Sequence, residues 1–241
     1  MAVKLSAERL AFGYPGKRVG HDVDLTVEPG QVICLLGANG SGKTTLFKTL
    51  LGLLAPQGGR VHLDGRSLDG WSRRALAQVV GYIPQAHTGT FPFSVIDMVL
   101  MGRAAHIGTF SSPSRTDVRI AEQALEGMGI ADLRDDAYTE ISGGQRQLVL
   151  IARALAQEPE VLIMDEPTAN LDFGNQWLVL SRVRSLVGGG RSVMLSSHDP
   201  DHAFMCADRV GLLHGGVLER LGPPEEVITA AALKQIGRAH V

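Results

Sequence analysis

Cysteine is nearly absent from this chain: Cys34 and Cys206 are the two in 241 residues, so a disulfide framework is excluded as the source of its stability. Cys34 stands inside the apolar run Val32-Ile33-Cys34-Leu35-Leu36 and reads as a small buried hydrophobe. An excess of one charge is missing too. The formal net charge is -2, which lacks the basic footprint of a dedicated nucleic-acid binder. No apolar run approaches the roughly 20 residues that span a bilayer. The opening Met1-Ala2-Val3-Lys4-Leu5-Ser6 meets the charged pair Glu8-Arg9 too early for a secretory leader. Internal repeats, low-complexity tracts and long charged linkers are also lacking. A soluble, cytoplasmic chain with no nucleic-acid partner is the expectation.

What is present is the composition of an ordinary globular protein, 44% hydrophobic and 20% charged. The length suits one sizeable core or two tightly joined subdomains. Strand and helix patterns alternate, which predicts an α/β fold. Residues 4–12 and 21–27 alternate like half-buried strands, and 60–65 reads as a short strand ending in a turn. Val32–Leu36, Val161–Met164 and residues 192–196 are apolar runs of the kind buried in parallel sheets. Arg209–His214 and 217–221 are further strand candidates around the Gly215-Gly216 turn. From about 94 to 157 the pattern is helical instead, with Val118, Ala121, Leu125 and Met128 on one stripe. The expected architecture is a parallel α/β core, with an antiparallel β subdomain near the N-terminus and an inserted helical subdomain. Its boundaries fall at about 1–90 and 158–241 for the core with the β subdomain, and about 91–157 for the helices.

Three segments carry chemistry. Gly37-Ala38-Asn39-Gly40-Ser41-Gly42-Lys43-Thr44 matches GxxxxGK[ST], with a buried strand before it and the helix former Thr45-Leu46-Phe47-Lys48 after it. Such glycines let successive N–H groups converge on an anion, and the helix start adds about half a positive charge. Lys43 can then reach the β- and γ-phosphates, and the Thr44 hydroxyl can ligate Mg²⁺. Val161-Leu162-Ile163-Met164-Asp165-Glu166 places two acids at the carboxyl end of a buried strand, the edge where open parallel sheets bind ligands. Asp165 is the candidate for the Mg²⁺ shell and Glu166 for accepting a proton from water. Ile141-Ser142-Gly143-Gly144-Gln145 opens a long helical pattern at 146–157 and makes a second anion cradle. One nucleotide does not use two cradles from different subdomains. Two nucleotides shared between two chains do.

At this point the chain resembles the ABC transporter ATPases over nearly its whole length. The 37–44 loop resembles Walker A, the 161–166 run Walker B, and Ile141 to Gln145 the signature LSGGQ with Ile for Leu. The resemblance implies further roles. Tyr14 takes the place of the aromatic that stacks on adenine. Gln85, in Tyr82-Ile83-Pro84-Gln85, resembles the glutamine that contacts Mg²⁺ and links the subdomains. Ala169-Asn170-Leu171-Asp172 resembles the D-loop SALD, with Asn170 a departure. His198 resembles the switch histidine that touches the γ-phosphate. The implied catalytic set is Glu166, His198 and Gln85, and the implied metal set is Thr44, Gln85 and Asp165. ATP would be held by Tyr14, Gly37, Asn39, Gly40, Ser41, Gly42, Lys43, Thr44, Thr45 and Asp165. From the second copy would come Ser142, Gly143, Gly144 and Gln145, and Asp172 is a further implied nucleotide-binding residue.

The segment Ser94-Val95-Ile96-Asp97-Met98-Val99-Leu100-Met101-Gly102-Arg103, with Ala124-Leu125-Glu126 and Gly129-Ile130, is similar to the ATPases of importers for ferric siderophores, haem, cobalamin and molybdate. That implies ATP hydrolysis driving import of a metal chelate or oxyanion. Implied partners are a second copy of the chain, polytopic permease subunits and, indirectly, a substrate-binding protein. The implied location is the inner face of the cell membrane. The docking surface is expected between Gln85 and Phe110, with Phe91, Phe93, Met98 and Arg103 on it. Two other readings remain. A soluble ABC ATPase of translation or DNA repair would usually carry two cassettes or a long coiled-coil insertion. A GTPase would need an Asn-Lys-x-Asp motif, and neither it nor a small-molecule kinase gives Ser142 to Gln145 a role.

Overall fold

The computed structural model describes residues 3–85, 92–108 and 111–237. Its first part runs β1 (Leu5–Tyr14), β2 (Lys17–Val27), β3 (Val32–Leu36), α1 (Lys43–Leu50), β4 (Gly58–Leu63), β5 (Arg66–Ser67), α2 (Arg73–Val79) and β6 (Val80–Ile83). The helical stretch follows as α3 (Val95–Leu100), α4 (Arg115–Met128) and α5 (Gly143–Ala156). The last part is β7 (Val161–Met164), α6 (Phe173–Gly188), β8 (Ser192–Ser197), α7 (Pro200–Cys206), β9 (Arg209–His214), β10 (Val217–Gly222), α8 (Pro224–Val227) and α9 (Ala230–Gly237).

Among the described residues the strands make two sheets. The order β2-β1-β4-β5 is antiparallel throughout. The larger sheet, β10-β9-β3-β8-β7-β6, is parallel except for its edge strand β10. Both sheets are those anticipated from the sequence. β6 was not anticipated: four residues between a helix and a loop give no periodic signal of their own.

The apolar runs follow from the sheet's position between two cores. In β3, Ile33 and Leu35 point to the cluster that holds β1, β2 and α1, while Val32, Cys34 and Leu36 point to the cluster that holds the helices. β7 divides the same way, Val161 and Ile163 against Leu162 and Met164. A strand buried on both faces has no place for polar residues, hence the unbroken hydrophobicity. Burial also pushes the Cys34 thiol well above its usual range, so it behaves as the inert core residue its context suggested.

The helical stretch is inserted between β6 and β7, which are neighbours in the sheet. Ser114 starts α4 with a reciprocal capping box to Asp117, and Gly129 ends it in the left-handed conformation. Three of the four residues of the expected stripe, Ala121, Leu125 and Met128, are buried. Val118 is half-buried, while Asp117, Ala121, Ala124, Leu125 and Met128 face inward.

Asp117 can be buried because Arg103 meets it. The Arg103 guanidinium donates to Asp117 Oδ1 at 3.0 Å, to the Ala156 carbonyl at 2.7 Å and to Glu158 Oε2 at 2.7 Å. Arg103 is therefore a buried clasp between the α3 end, α4 and the α5 end, and is not part of a docking surface. Met98 is likewise buried, whereas Phe93 is 43% exposed. Phe91 and Phe110 lie outside the described residues.

Candidate functional site

Because β6, β7, β8 and β3 run parallel, their carboxyl ends open on one edge, and the candidate residues hang from that edge. β3 delivers the 37–44 loop, β7 delivers Asp165 and Glu166, β8 delivers His198, and the residue after Pro84 beyond β6 is Gln85. The loop turns into α1 at Gly42, whose φ of 106 is open to glycine but strained for other residues. Phe12 and Val19 of the β1–β2 hairpin press against Gly42. That contact packs the hairpin against the loop, and Tyr14 at the hairpin tip is exposed.

Lys43 is buried at the loop's centre. Its ammonium donates to the Gly37 carbonyl at 2.7 Å and to the Ala38 carbonyl at 3.2 Å, and lies 3.4 Å from Glu166 Oε1. The Ser41 hydroxyl is buried and finds no hydrogen-bond partner among the described residues, an arrangement that costs energy unless a ligand supplies one. A phosphate group fits both facts: it would accept from Ser41 and take Lys43 over from the two carbonyls. Asn39 and Gly40 are exposed at the loop's crest, and Thr45 is buried in the first turn of α1.

Thr44 Oγ1 donates to Asp165 Oδ2 at 2.6 Å, and the other oxygen of Asp165 accepts from Ser196 at 2.7 Å. Ser196 also accepts from the Glu166 amide at 2.9 Å. It thereby holds both acids, a role the sequence reading missed; polar residues closing a buried strand were the available signal. Two hard oxygens side by side suit Mg²⁺ through one carboxylate, water and substrate phosphates, while the amide of Gln85, the third residue expected there, is instead engaged with Glu166. Thr44 and Asp165 would hold the ion, which would neutralise phosphate charge.

The other carboxylate gathers three expected residues. Glu166 Oε2 accepts from Gln85 Nε2 at 3.2 Å and lies 3.3 Å from His198 Nδ1, while Oε1 faces Lys43. Glu166 is 8% exposed and has φ 47, a left-handed conformation unusual for glutamate. Strain of this kind is held by surrounding structure at functional positions. Burial and the Asp165 charge push the Tyr82 phenol up to about 12.

The second anion cradle stands apart. Ser142 Oγ accepts from the Gln145 amide at 3.2 Å, and Gln145 Oε1 accepts from the Ser142 amide at 2.8 Å. This capping box fixes the start of α5 and leaves the Ser142 O–H free to donate, along with the first helical N–H groups. Asp172 is in neither phosphate loop. It caps α6, accepting from the Asn175 amide at 2.9 Å and from its side chain at 2.7 Å, which holds the Asp172 carboxyl below its usual range. Asn170, the departure from the D-loop pattern, sits at φ 62, where Asn is tolerated better than most residues.

Asn175 also abuts the signature segment. A methyl group on Gly144 would fall 2.2 Å from Asn175 Oδ1. Gly144→Ala is therefore expected to push Asn175 off Asp172 and destabilise the fold by roughly 1–3 kcal/mol. Urea unfolding checks it, and an unchanged midpoint would mean that Asn175 yields freely.

Fold and site together define a P-loop ATPase cassette. The chain belongs to the ABC transporter family, whose model matches residues 20–169. A Haemophilus influenzae relative described as an uncharacterized ABC transporter ATP-binding protein is 43% identical, over 97% of this chain and 89% of that one. The hemin import ATP-binding protein HmuV of Nocardia farcinica is 38% identical, over 96% of this chain and 80% of its own. A solved transporter classed as metal-chelate type, in an inward-facing conformation, superposes with a TM-score of 0.87 at 33% identity, over 98% of this chain and 89% of that one. Among the described residues no helix is long and apolar enough to cross a membrane.

Proposed function

We propose that the chain works as a homodimeric motor for import of a metal chelate or oxyanion, each ATP lying between the 37–44 loop of one copy and Ser142 to Gln145 of the other. The observation that carries this reading is the separation of the two cradles. The capping-box bonds of Ser142 and Gln145 are made to each other, and no hydrogen bond or ion pair among the described residues joins them to Lys43 or Glu166. The hemin-importing relative and the metal-chelate structure support the cargo class. Membrane permease subunits would supply the path, with a substrate-binding protein acting through them, and the cassette would sit on the inner face of the cell membrane.

In the proposed cycle, ATP stacks on Tyr14 and its phosphates draw Lys43 away from the Gly37 and Ala38 carbonyls. Lys43 also stops pairing with Glu166, whose carboxylate is then free to take a proton from the attacking water. His198 and Gln85 hold that carboxylate from its other oxygen. The Ser142 hydroxyl of the second copy donates to the γ-phosphate and closes the site.

Glu166→Gln and Ser142→Arg, distributed between the chains of a mixed dimer, test the sharing. On opposite chains both lesions fall on one composite site, and about half the hydrolysis should survive. On the same chain they strike one site each, and hydrolysis should vanish. Equal activity in both arrangements would overturn the shared site. The reverse pattern would show that each chain hydrolyses ATP alone.

A further inference from the structure

His202 belongs to α7, a seven-residue helix outside every motif, yet it is only 5% exposed. Its Nδ1 lies 2.9 Å from Ser197 Oγ and 3.3 Å from Thr168 Oγ1. Its Nε2 lies 3.4 Å from Gln176 Oε1, with Asp199 Oδ2 at 3.6 Å. One imidazole thus touches the β8 end next to His198, the turn two residues past Glu166, and the first turn of α6.

The protons can be placed. Gln176 Nε2 donates to the Leu171 carbonyl at 3.0 Å, which turns its amide oxygen toward His202. The hydrogen of the ring therefore belongs on Nε2, and the Nδ1 lone pair is shared by two hydroxyl donors, Ser197 at the shorter distance and Thr168 at the longer. Burial lowers the affinity of the ring for a second proton, in keeping with this neutral form. Ser197 in turn accepts from the Asp199 amide at 2.9 Å, so the hydroxyl pinned by His202 fixes the backbone on the far side of His198.

On the α6 side the connection continues. Gln176 is the neighbour of Asn175, which holds Asp172 and abuts Gly144. An unbroken set of contacts runs from the signature segment, through α6 and His202, to the loops that bear His198 and Glu166.

We infer that His202 is a positioning residue for hydrolysis, an uncharged bridge that holds the His198 loop and the Glu166 turn in register with the α6 start and the signature segment beside it. The inference rests on the proposed shared site, because only there do the two ends serve different nucleotides. His202 touches no reacting atom; it acts through Ser197 and Thr168.

ATP hydrolysis by the full chain in its transporter complex tests it, with kcat, KM and nucleotide affinity measured separately. His202→Ala should lower kcat by roughly ten- to hundredfold, the range for losing a partner that orients a reacting group, with ATP affinity within about twofold of wild type. His202→Asn, whose amide can reach Ser197 but not Gln176, should recover part of the loss. Gln176→Ala reaches the bridge from its less buried end and should lower kcat less. Combined with His202→Ala, it should add almost nothing. Unchanged kcat in His202→Ala would overturn the inference. So would equal loss of kcat, affinity and thermal stability with no rescue by Asn, which is what a merely structural histidine gives. If His202→Ala fails to fold, Gln176→Ala decides alone, and wild-type kcat there overturns the bridge. Glu166→Gln is run alongside. Should it retain turnover, the reading of the site itself falls; should it lose turnover while His202→Ala keeps it, only the bridge falls.

Discussion

Glu166→Gln should bind ATP and fail to turn it over, with kcat reduced by about 10²- to 10⁴-fold, the usual contribution of a general base. The amide keeps the shape of the carboxylate, and its oxygen can still accept from Gln85 Nε2, at 3.2 Å in the native chain. It cannot take a proton from water. It also removes the charge facing Lys43 at 3.4 Å, so the ammonium is freer to move to phosphate and ATP affinity should hold or rise. Light scattering with saturating ATP-Mg²⁺ should find a dimer retaining two nucleotides. A variant that remains monomeric, or that hydrolyses ATP at the wild-type rate, would remove Glu166 from the role assigned to it.

A large effect on stability is expected far from the nucleotide. Arg103→Ala strips Asp117 of its cation while Asp117 stays buried. The carboxylate keeps its bonds from Ser114, so losing the charged partner should cost about 1–3 kcal/mol. Replacing both, as Arg103→Met with Asp117→Asn, should cost clearly less than the sum of the single changes. Acid sensitivity gives an independent check. Hydrogen bonds from Ser114, joined by Arg103, hold the Asp117 carboxyl at about 2, so the folded chain keeps it ionised below the pH at which the unfolded chain protonates it. Its contribution is present above about pH 4 and is lost as pH falls toward 2. Asp117→Asn should flatten that part of the stability profile. An Arg103→Ala chain as stable as wild type would show that the clasp carries no load.

Much of this molecule was legible in its residues because its chemistry sits on strand ends. A four- or five-residue apolar run that stops at Gly37 or Asp165 announces both a buried strand and the edge where it opens, and the structure places the 37–44 loop and the 165–166 pair at that edge. Gln85 and His198 are silent alone. Their meaning came from order along the chain, and the structure adds that both meet Glu166 Oε2. Arg103 misled the reading because an arginine beside a helix end is ordinarily solvated. Its burial depends on Asp117, on Glu158 and on the Ala156 carbonyl, partners that only packing brings together. His202 was illegible for the same reason: a short helix has no period to read, and the hydroxyls it meets come from two other segments of the chain. Val118 proved only half-buried, at the margin of the inward face, because a stripe fitted to apolar residues alone does not foresee a paired aspartate facing inward.

The alternation of β-strand side chains between two cores has a spectroscopic consequence. Met164 and Met194 occupy adjacent strands, with Met194 opposite Ile163 in the pairing. Met164 nevertheless belongs to the helical cluster and Met194 to the one that holds α1 and the β1–β2 hairpin. Labelled at their methyl groups, these two residues become neighbouring reporters tuned to different halves of the machine. A reagent that disturbs only the nucleotide side should shift the Met194 resonance first, and one that disturbs only the helical layer the Met164 resonance.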